Sequence, residues 1–371
     1  MKVMLIHYHS GQGGGAESHV KDLRYALELL GHEIVVEYTH PDKAWQRFKP
    51  DVMHFHTVHC GTMGIGVLKW AQDRGIPHCI SLHDYWPFCG PRMLLSHHDQ
   101  SCSAVEGLCD GKCDGHPQPK ELADLVNGTP TVTFNEYSAA IFERHGIRVD
   151  AVIPHGINTD FFKPDPEKRI KGRIMTSSAW AEWPTKGMHI LRKALETAKL
   201  EAKLVCHVTR EQVRDELQKS SIFVLPSCYE ETYGLCLLEA MACGCACVAS
   251  DVCGARAQID HGTDGLLFPN RDAETLAETL RWLVADDFVA QELGKDARAT
   301  VERRNTLQDM AECYTVFYEE LIMAEEKKKN KKRIDVVIDA PCAIARSTAG
   351  GIIIDRPKKE EEAGAPKQAE R

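Results

Sequence analysis

Short apolar runs alternate with amphipathic stretches along most of the chain. Runs at 2–8, 33–38, 51–56, 78–83, 130–134 and 149–153 are bounded by turn-forming or polar residues, which predicts six strands. Helical periodicity lies between several of them. After the Gly-rich stretch 10–15, for example, Leu23, Ala26, Leu27 and Leu30 fall on one side of a helix. A second series of runs at 173–177, 202–207, 222–226, 245–249 and 265–268 repeats the alternation. Strands separated by helices predict parallel sheets covered on both faces, so the chain reads as α/β with two Rossmann-like units. The first unit covers 1–155 and the second 156–306, joined through the Pro-rich connector VIPHGINTDFFKPDP at 152–166. A helix at 307–325 carries Met310, Tyr314, Phe317 and Leu321 in register, and 326–371 reads as a charged linker and a disordered tail.

Composition narrows the function classes. A chain of 371 residues with 43% hydrophobic content can build two cores. A net charge of −9 argues against a broad nucleic-acid surface. No apolar run reaches eighteen residues and no secretory leader is read after Met1, so a cytoplasmic protein without a transmembrane segment is expected. Fifteen cysteines make a poor disulfide framework and suit reduced thiols or metal ligands. The charge run EEKKKNKKR at 325–333 reads as a solvated linker, with a peripheral membrane contact as the alternative.

Candidate chemistry concentrates in PSCYEETYGLCLLEAMACGCACVAS, residues 226–250. Glu231 and Glu239 stand eight positions apart, and if the helix already began at Glu231 they would lie roughly 2.2 turns apart on nearly one face. Tyr233, Gly234 and Leu235 place backbone N–H groups and a positive helix end beside Glu231, a setting that favours phosphate or a developing anion. Apolar runs on either side put the segment inside a β-α-β unit, whose strand ends are where parallel sheets present ligands. The pattern fits a sugar nucleotide: Glu231 for the transferred sugar, the N–H groups for phosphates and Glu239 for a ribose. At the amino terminus, Gly13, Gly14 and Gly15 separate a strand from a helix, so the backbone can approach a ligand there, although the spacing is not that of a dinucleotide fingerprint.

In this strand-turn-helix context the pair Glu, seven residues, Glu resembles the signature of the retaining glycosyltransferases of family 4, and the resemblance runs from about Lys2 to about Leu321. It implies a GT-B fold: two Rossmann-like domains facing a cleft, with the helix at 307–325 packing back on the first. It also implies a nucleotide diphosphate sugar as donor, an acceptor bound mainly by the first domain, and transfer with retention and no metal cofactor in the transfer step. By the same resemblance His83 in LHDYWPF lines the sugar site, Lys186 in TKGMHIL meets the diphosphate, and the loop at Gly14 and Gly15 faces the donor phosphates or the acceptor. On its own residues, His83 reads equally as a capped loop histidine. Lys186 at a helix start opposes the dipole and needs an anion beside it.

Two departures stand out. The family supplies an Arg a few residues before the Lys, but SSAWAEWP at 177–184 has none, so Arg173 or another cation substitutes, or Lys186 and backbone N–H groups act alone. In DVCGARAQIDHGTDGLLF, residues 251–268, Ala257 stands where the family has a Glu, and Arg256 beside it is either an anion contact or a surface residue. The donor base, sugar and acceptor stay open. So do a transferase acting on modified nucleic-acid bases, a GT-B epimerase or phosphorylase, and a non-catalytic GT-B binding subunit.

A Cys-rich insertion spans 89–116. Cys89, Cys102, Cys109 and Cys113, flanked by His97, His98 and His116, suit a structural zinc that orders a loop poor in apolar residues. An iron–sulfur cluster and plain reduced thiols are the alternatives. Cys228, Cys236, Cys243, Cys245 and Cys247 follow core periodicity and read as small buried hydrophobes.

Overall fold

The computed structural model describes residues 1–7, 14–38, 41–56, 62–89, 94, 120–178, 181, 183–330, 343–346 and 352–355. The first domain runs β1 (Lys2–Ile6), α1 (Gly15–Leu29), β2 (Glu33–Glu37), α2 (Pro41–Phe48), β3 (Val52–Phe55), α3 (Thr62–Asp73), β4 (His78–Ser81), α4 (Lys120–Asn127), β5 (Thr131–Thr133), α5 (Glu136–Arg144) and β6 (Ala151–Val152). Strands β2, β1, β3, β4, β5 and β6 lie side by side in that order and all pair in parallel. The order reverses between β1 and β3. That is where the carboxyl ends of an open sheet leave a crevice, because the helices that follow β1 and β3 diverge to opposite faces.

Successive residues of a strand point to opposite faces, so each strand feeds two cores. Met4 and Ile6 of β1 pack with Phe55, Leu68, Trp86 and Phe142 on one side. Val3 and Leu5 pack with Val20, Leu23, Ala26 and Leu27 of α1 on the other. Leu30, expected on the same stripe, is instead the exposed cap of α1, because the helix has already ended at Leu29.

The second domain runs β7 (Ile170–Ser177), a 3₁₀ turn (Pro184–Lys186), α6 (Met188–Ala198), β8 (Ala202–Val205), α7 (Arg210–Lys219), β9 (Ser220–Leu225), α8 (Leu235–Ala242), β10 (Ala246–Ser250), α9 (Cys253–Gln258), β11 (Leu266–Phe268), α10 (Ala273–Ala285) and α11 (Asp287–Arg304). Its five strands are all parallel, in the order β11-β10-β9-β7-β8, with the reversal between β7 and β9. Phe223 and Leu225 face α8 and α11, while Ile222 and Val224 face α6 and α10. Cys243, Cys245 and Cys247 are fully buried in the first of these layers, as core periodicity predicts.

A final long helix, α12 (Leu307–Asn330), crosses back to the first domain. Met310, Tyr314, Phe317 and Tyr318 fill the α1 side of the first sheet, each fully buried apolar side chain contributing about 1.5–3 kcal/mol before entropic losses. Much of the charge run expected as a linker, 325–330, continues this helix. The tail read as disordered includes two further strands, β12 (Ala343–Arg346) and β13 (Ile352–Asp355). β13 pairs in parallel with the two-residue edge strand β6, and β12 pairs antiparallel with β13. A β-branched run next to an unpaired sheet edge can add to it, whatever the polarity of its flanks. Among the described residues no helix is long and apolar enough to cross a membrane.

The connector meets the start of α12 at Gly156. A Cβ there would lie 2.4 Å from the Thr306 carbonyl oxygen and 3.0 Å from Leu307 Cα. Gly156→Ala should therefore destabilise the protein by about 1–3 kcal/mol, read as a lowered thermal midpoint. A variant as stable as the parent would mean that the two segments do not approach so closely.

Candidate functional site

The two switch points open onto each other. Several contacts cross between the domains: the Thr232 hydroxyl donates to the His83 carbonyl at 2.7 Å, Asn135 Nδ2 to the Thr232 carbonyl at 2.5 Å, and the Tyr85 hydroxyl lies 3.3 Å from Cys253 Sγ. The start of α1 also comes against the start of α8, since a Cβ on Gly15 would lie 3.8 Å from Leu235 Cδ1. Gly14 caps α1 beside it with open space around its α-carbon. Gly14 and Gly15 thus lie beside the start of α8, although more than two hundred positions separate them from Glu231 in the sequence.

The turn from β9 into α8 is shaped by glycine. Gly234 caps α8 with φ +91°, and a Cβ there would press on Glu231 Oε2 at 2.9 Å. Gly187, at φ +66°, passes so close to the same turn that a Cβ would lie 1.7 Å from the Pro226 carbonyl oxygen. Gly254 leaves space for the Tyr233 carbonyl, which would otherwise sit 2.3 Å from a Cβ. Only residues without a side chain fit these approaches.

Glu231 therefore precedes α8 and does not share a helix face with Glu239, because α8 begins only at Leu235. Its buried carboxylate accepts from Lys186 Nζ at 2.5 Å and from Ser227 Oγ at 2.9 Å. Lys186 also donates to the Tyr229 hydroxyl at 3.2 Å and sits over the Tyr229 ring. Burial works against the Lys186 ammonium, but Glu231 and Tyr229 outweigh it and hold the group above its ordinary range. The anion that this lysine needs is thus supplied by the protein itself. Cys236, in the first turn of α8, has its thiol pushed up to about 12 by burial, so it is no nucleophile.

Glu239 lies on α8, where Arg210 Nε donates to Oε1 at 3.2 Å. The same guanidinium makes a bidentate pair with Asp22 of α1, both bonds 2.6 Å, and so ties the two domains together. Burial of Glu239 outweighs the help it gets from Arg210, whose strongest bonds go to Asp22, and its carboxyl is pushed up to about 7.

Tyr233 contributes mainly backbone and packing. Its hydroxyl accepts from Asn305 Nδ2 at 2.7 Å, its ring meets His155 edge to face at 4.6 Å, and its carbonyl accepts from Gln258 Nε2 at 2.6 Å. His83 is half-buried behind β4, with Nε2 3.1 Å from His56 Nδ1 and its ring on Phe134. Arg173 does not replace the missing cation: it pairs with Glu216 of α7. Arg256 pairs with Asp251 at 2.8 Å and covers Tyr137, which is the surface reading of that residue. Cys89 is buried in the first-domain core, whereas Cys102, Cys109 and Cys113, with His97, His98 and His116, lie outside the described residues.

Arg210 and Asp22 went unseen in the sequence. Thr209 and Gln212 form a capping box that marks Arg210 as the first residue of a helix, but nothing local indicates an acid 188 positions away.

Two parallel α/β domains with apposed switch points and a terminal helix returning to the first define the GT-B fold. Sucrose-phosphate synthase from Thermosynechococcus elongatus superposes with a TM-score of 0.69 over 87% of this chain and 99% of its own, at 16% identity. HepE of Anabaena, in complex with UDP and glucose, does so with a TM-score of 0.64 over 86% of this chain and 99% of its own, at 18% identity. Residues 186–300 match the family described as glycosyl transferases group 1. The chain is 34% identical over 95 residues to a D-inositol 3-phosphate glycosyltransferase of Streptomyces bingchenggensis, covering 26% of this chain and 21% of that protein. It is 42% identical over 93 residues to an alpha-maltose-1-phosphate synthase of Mycolicibacterium smegmatis, covering 24% of each. The chain thus spans only about a tenth to a third of the length of the curated relatives it matches.

The folded-state value of Glu239 lies above the ordinary 4.5, so the native state binds that proton more tightly than the unfolded chain. The resulting stabilisation is complete below about pH 4.5 and is lost as pH rises through about 7. Relative to Glu239→Gln, the parent should lose up to about 3 kcal/mol between about pH 4 and pH 8 in thermal unfolding. A difference that stays constant with pH would mean that Arg210 keeps Glu239 ionised throughout.

Proposed function

We propose that the protein is a glycosyltransferase that moves a sugar from a nucleotide diphosphate sugar to an acceptor bound mainly by the first domain, with retention at the anomeric carbon. The observation that carries this reading is the Glu231 turn, where a buried carboxylate, a lysine and the amino end of α8 converge in the crevice between the domains. Leu235 and Cys236 at that end precede the first intrahelical bond, so their N–H groups can face a diphosphate. The relatives named above, one a glycosyltransferase and one a synthase of a sugar phosphate, support the same class.

In this reading Lys186 answers the charge that develops on the departing diphosphate, and it exchanges part of its bond to Glu231 for the donor. Glu231 holds hydroxyls of the transferred sugar. Glu239, kept in place by Arg210, takes the nucleotide ribose. His83, projecting from behind β4 toward the crevice, positions the sugar. Rate enhancement comes from orientation and from stabilising the leaving group, without a covalent side-chain nucleophile and without a metal in the transfer step.

Nucleotide diphosphates and their sugars should raise the thermal midpoint, by the equivalent of about 2.7 kcal/mol at a hundredfold excess over Kd. No stabilisation by any of them would overturn the reading. Glu239→Ala should weaken the free nucleotide diphosphate, whereas Glu231→Ala should mainly lower kcat. Equal turnover of Glu231→Ala and the parent would remove Glu231 from the donor site. Lys186→Ala should lose about 100-fold or more in kcat at saturating donor, and an unchanged kcat would assign the diphosphate to another group.

A further inference from the structure

Six imidazoles gather at the carboxyl edge of the first sheet. His7 follows β1, His54 and His56 belong to the end of β3, His83 follows β4, His155 follows β6, and His19 reaches in from α1. His19 and His56 rings are 5.4 Å apart, His19 and His83 5.3 Å, and His56 and His83 5.4 Å between centroids.

The buried members divide by their hydrogen bonding. His54 has both nitrogens engaged, Nδ1 with the Tyr318 hydroxyl at 2.7 Å and Nε2 with Ser81 Oγ at 2.8 Å, which makes it a packing residue that binds α12 to the sheet. His19 and His56 are different. His19 Nδ1 lies 2.6 Å from His155 Nδ1, and His56 Nδ1 lies 3.1 Å from His83 Nε2, but the Nε2 atoms of His19 and His56 are buried with no hydrogen-bond partner. Leaving such a group unsatisfied costs about 1–3 kcal/mol each, and two of them side by side call for a reason.

One nitrogen from each of His19, His56 and His83 lies within 4.8 Å of the others. We propose that these three residues form a binding site for a late divalent transition metal, with zinc as the best fit and the fourth position open toward the crevice. Three neutral nitrogen donors suit zinc, cobalt, nickel or copper and do not suit magnesium or calcium, which take oxygen ligands. With Zn–N bonds of about 2.0–2.1 Å in a tetrahedron, ligand nitrogens stand about 3.4 Å apart, so side-chain rotations of about 1 Å complete the site. Proton placement already fits. When His19 donates from Nδ1 to His155, its Nε2 carries a lone pair, the arrangement in which a metal-bound histidine is oriented by a second hydrogen bond. His83 is the half-buried member, and Glu17, 4.0 Å from His7, supplies a buried carboxyl close to the cluster. The site lies wholly in the first domain and shares only His83 with the sugar positioning proposed above, so the test uses His19 and His56.

Chelator-stripped full-length protein titrated with Co²⁺ tests the site through the visible absorption of the bound ion, followed by displacement with Zn²⁺. The expected result is one saturable Co²⁺ site per chain with no thiolate-to-cobalt band on it, weakened at least tenfold in His19→Gln and in His56→Gln and unchanged in Cys109→Ser. Circular dichroism of each variant verifies the fold. The absence of a saturable signal in the parent would overturn the proposal, as would a site lost in Cys109→Ser, or one bound equally well by the folded His19→Gln and His56→Gln proteins.

Discussion

The buried pair between Lys186 and Glu231 is the interaction around which the second domain's crevice is organised. Either charge alone at this depth would cost several kcal/mol, and removing one partner of such a pair commonly costs about 3–5 kcal/mol. Ser227 and Tyr229 complete the bonding of the two groups. Bringing them together requires two chain segments to run in near contact, the 3₁₀ turn before α6 and the turn after β9. Gly187 makes that approach feasible, and Gly234 then turns the chain into α8 with its amino end at the crevice. The glycines, the ion pair and the helix start thus form one construction. A ligand that competes for Lys186 acts on all three.

The first domain contributes differently. Its crevice edge is made of imidazoles and aromatic rings, with Phe134 and His155 stacked at 4.0 Å, and it meets the second domain through backbone and amide contacts to Thr232. Charge crosses the domain boundary chiefly at Arg210, shared between Asp22 and Glu239. Because Glu239 receives only the weaker of the guanidinium's bonds, its carboxyl stays poorly compensated. A ribose hydroxyl would give it a further partner without moving either domain.

Much of this architecture was legible in the sequence because its cause is local. Continuous apolar runs such as Val3 to Ile6 encode strands buried on both faces, while helical stripes such as Leu23, Ala26 and Leu27 and the return of Met310, Tyr314 and Phe317 every three or four residues each encode a buried face. Glu231, Gly234 and Glu239 were legible as a group because they sit within one turn-helix segment. Leu30 was misread at a helix end and the strand at 352–355 in the tail, where cap geometry and an available sheet edge outweigh composition.

By itself, then, the sequence determined the order and type of the strands in the two units up to Phe268 and set Glu231 and Glu239 in one turn-helix segment, since hydrophobic period and backbone preference act over a few residues. Only the tertiary structure decided the partners of those carboxylates. It put Lys186 on Glu231, brought Asp22 and Arg210 together across 188 positions, paired Arg173 with Glu216 and Arg256 with Asp251, and gathered six histidines from four strand ends and a helix. Such meetings depend on strand order and on where each sheet reverses direction, and no stretch of chain a few residues long carries that information.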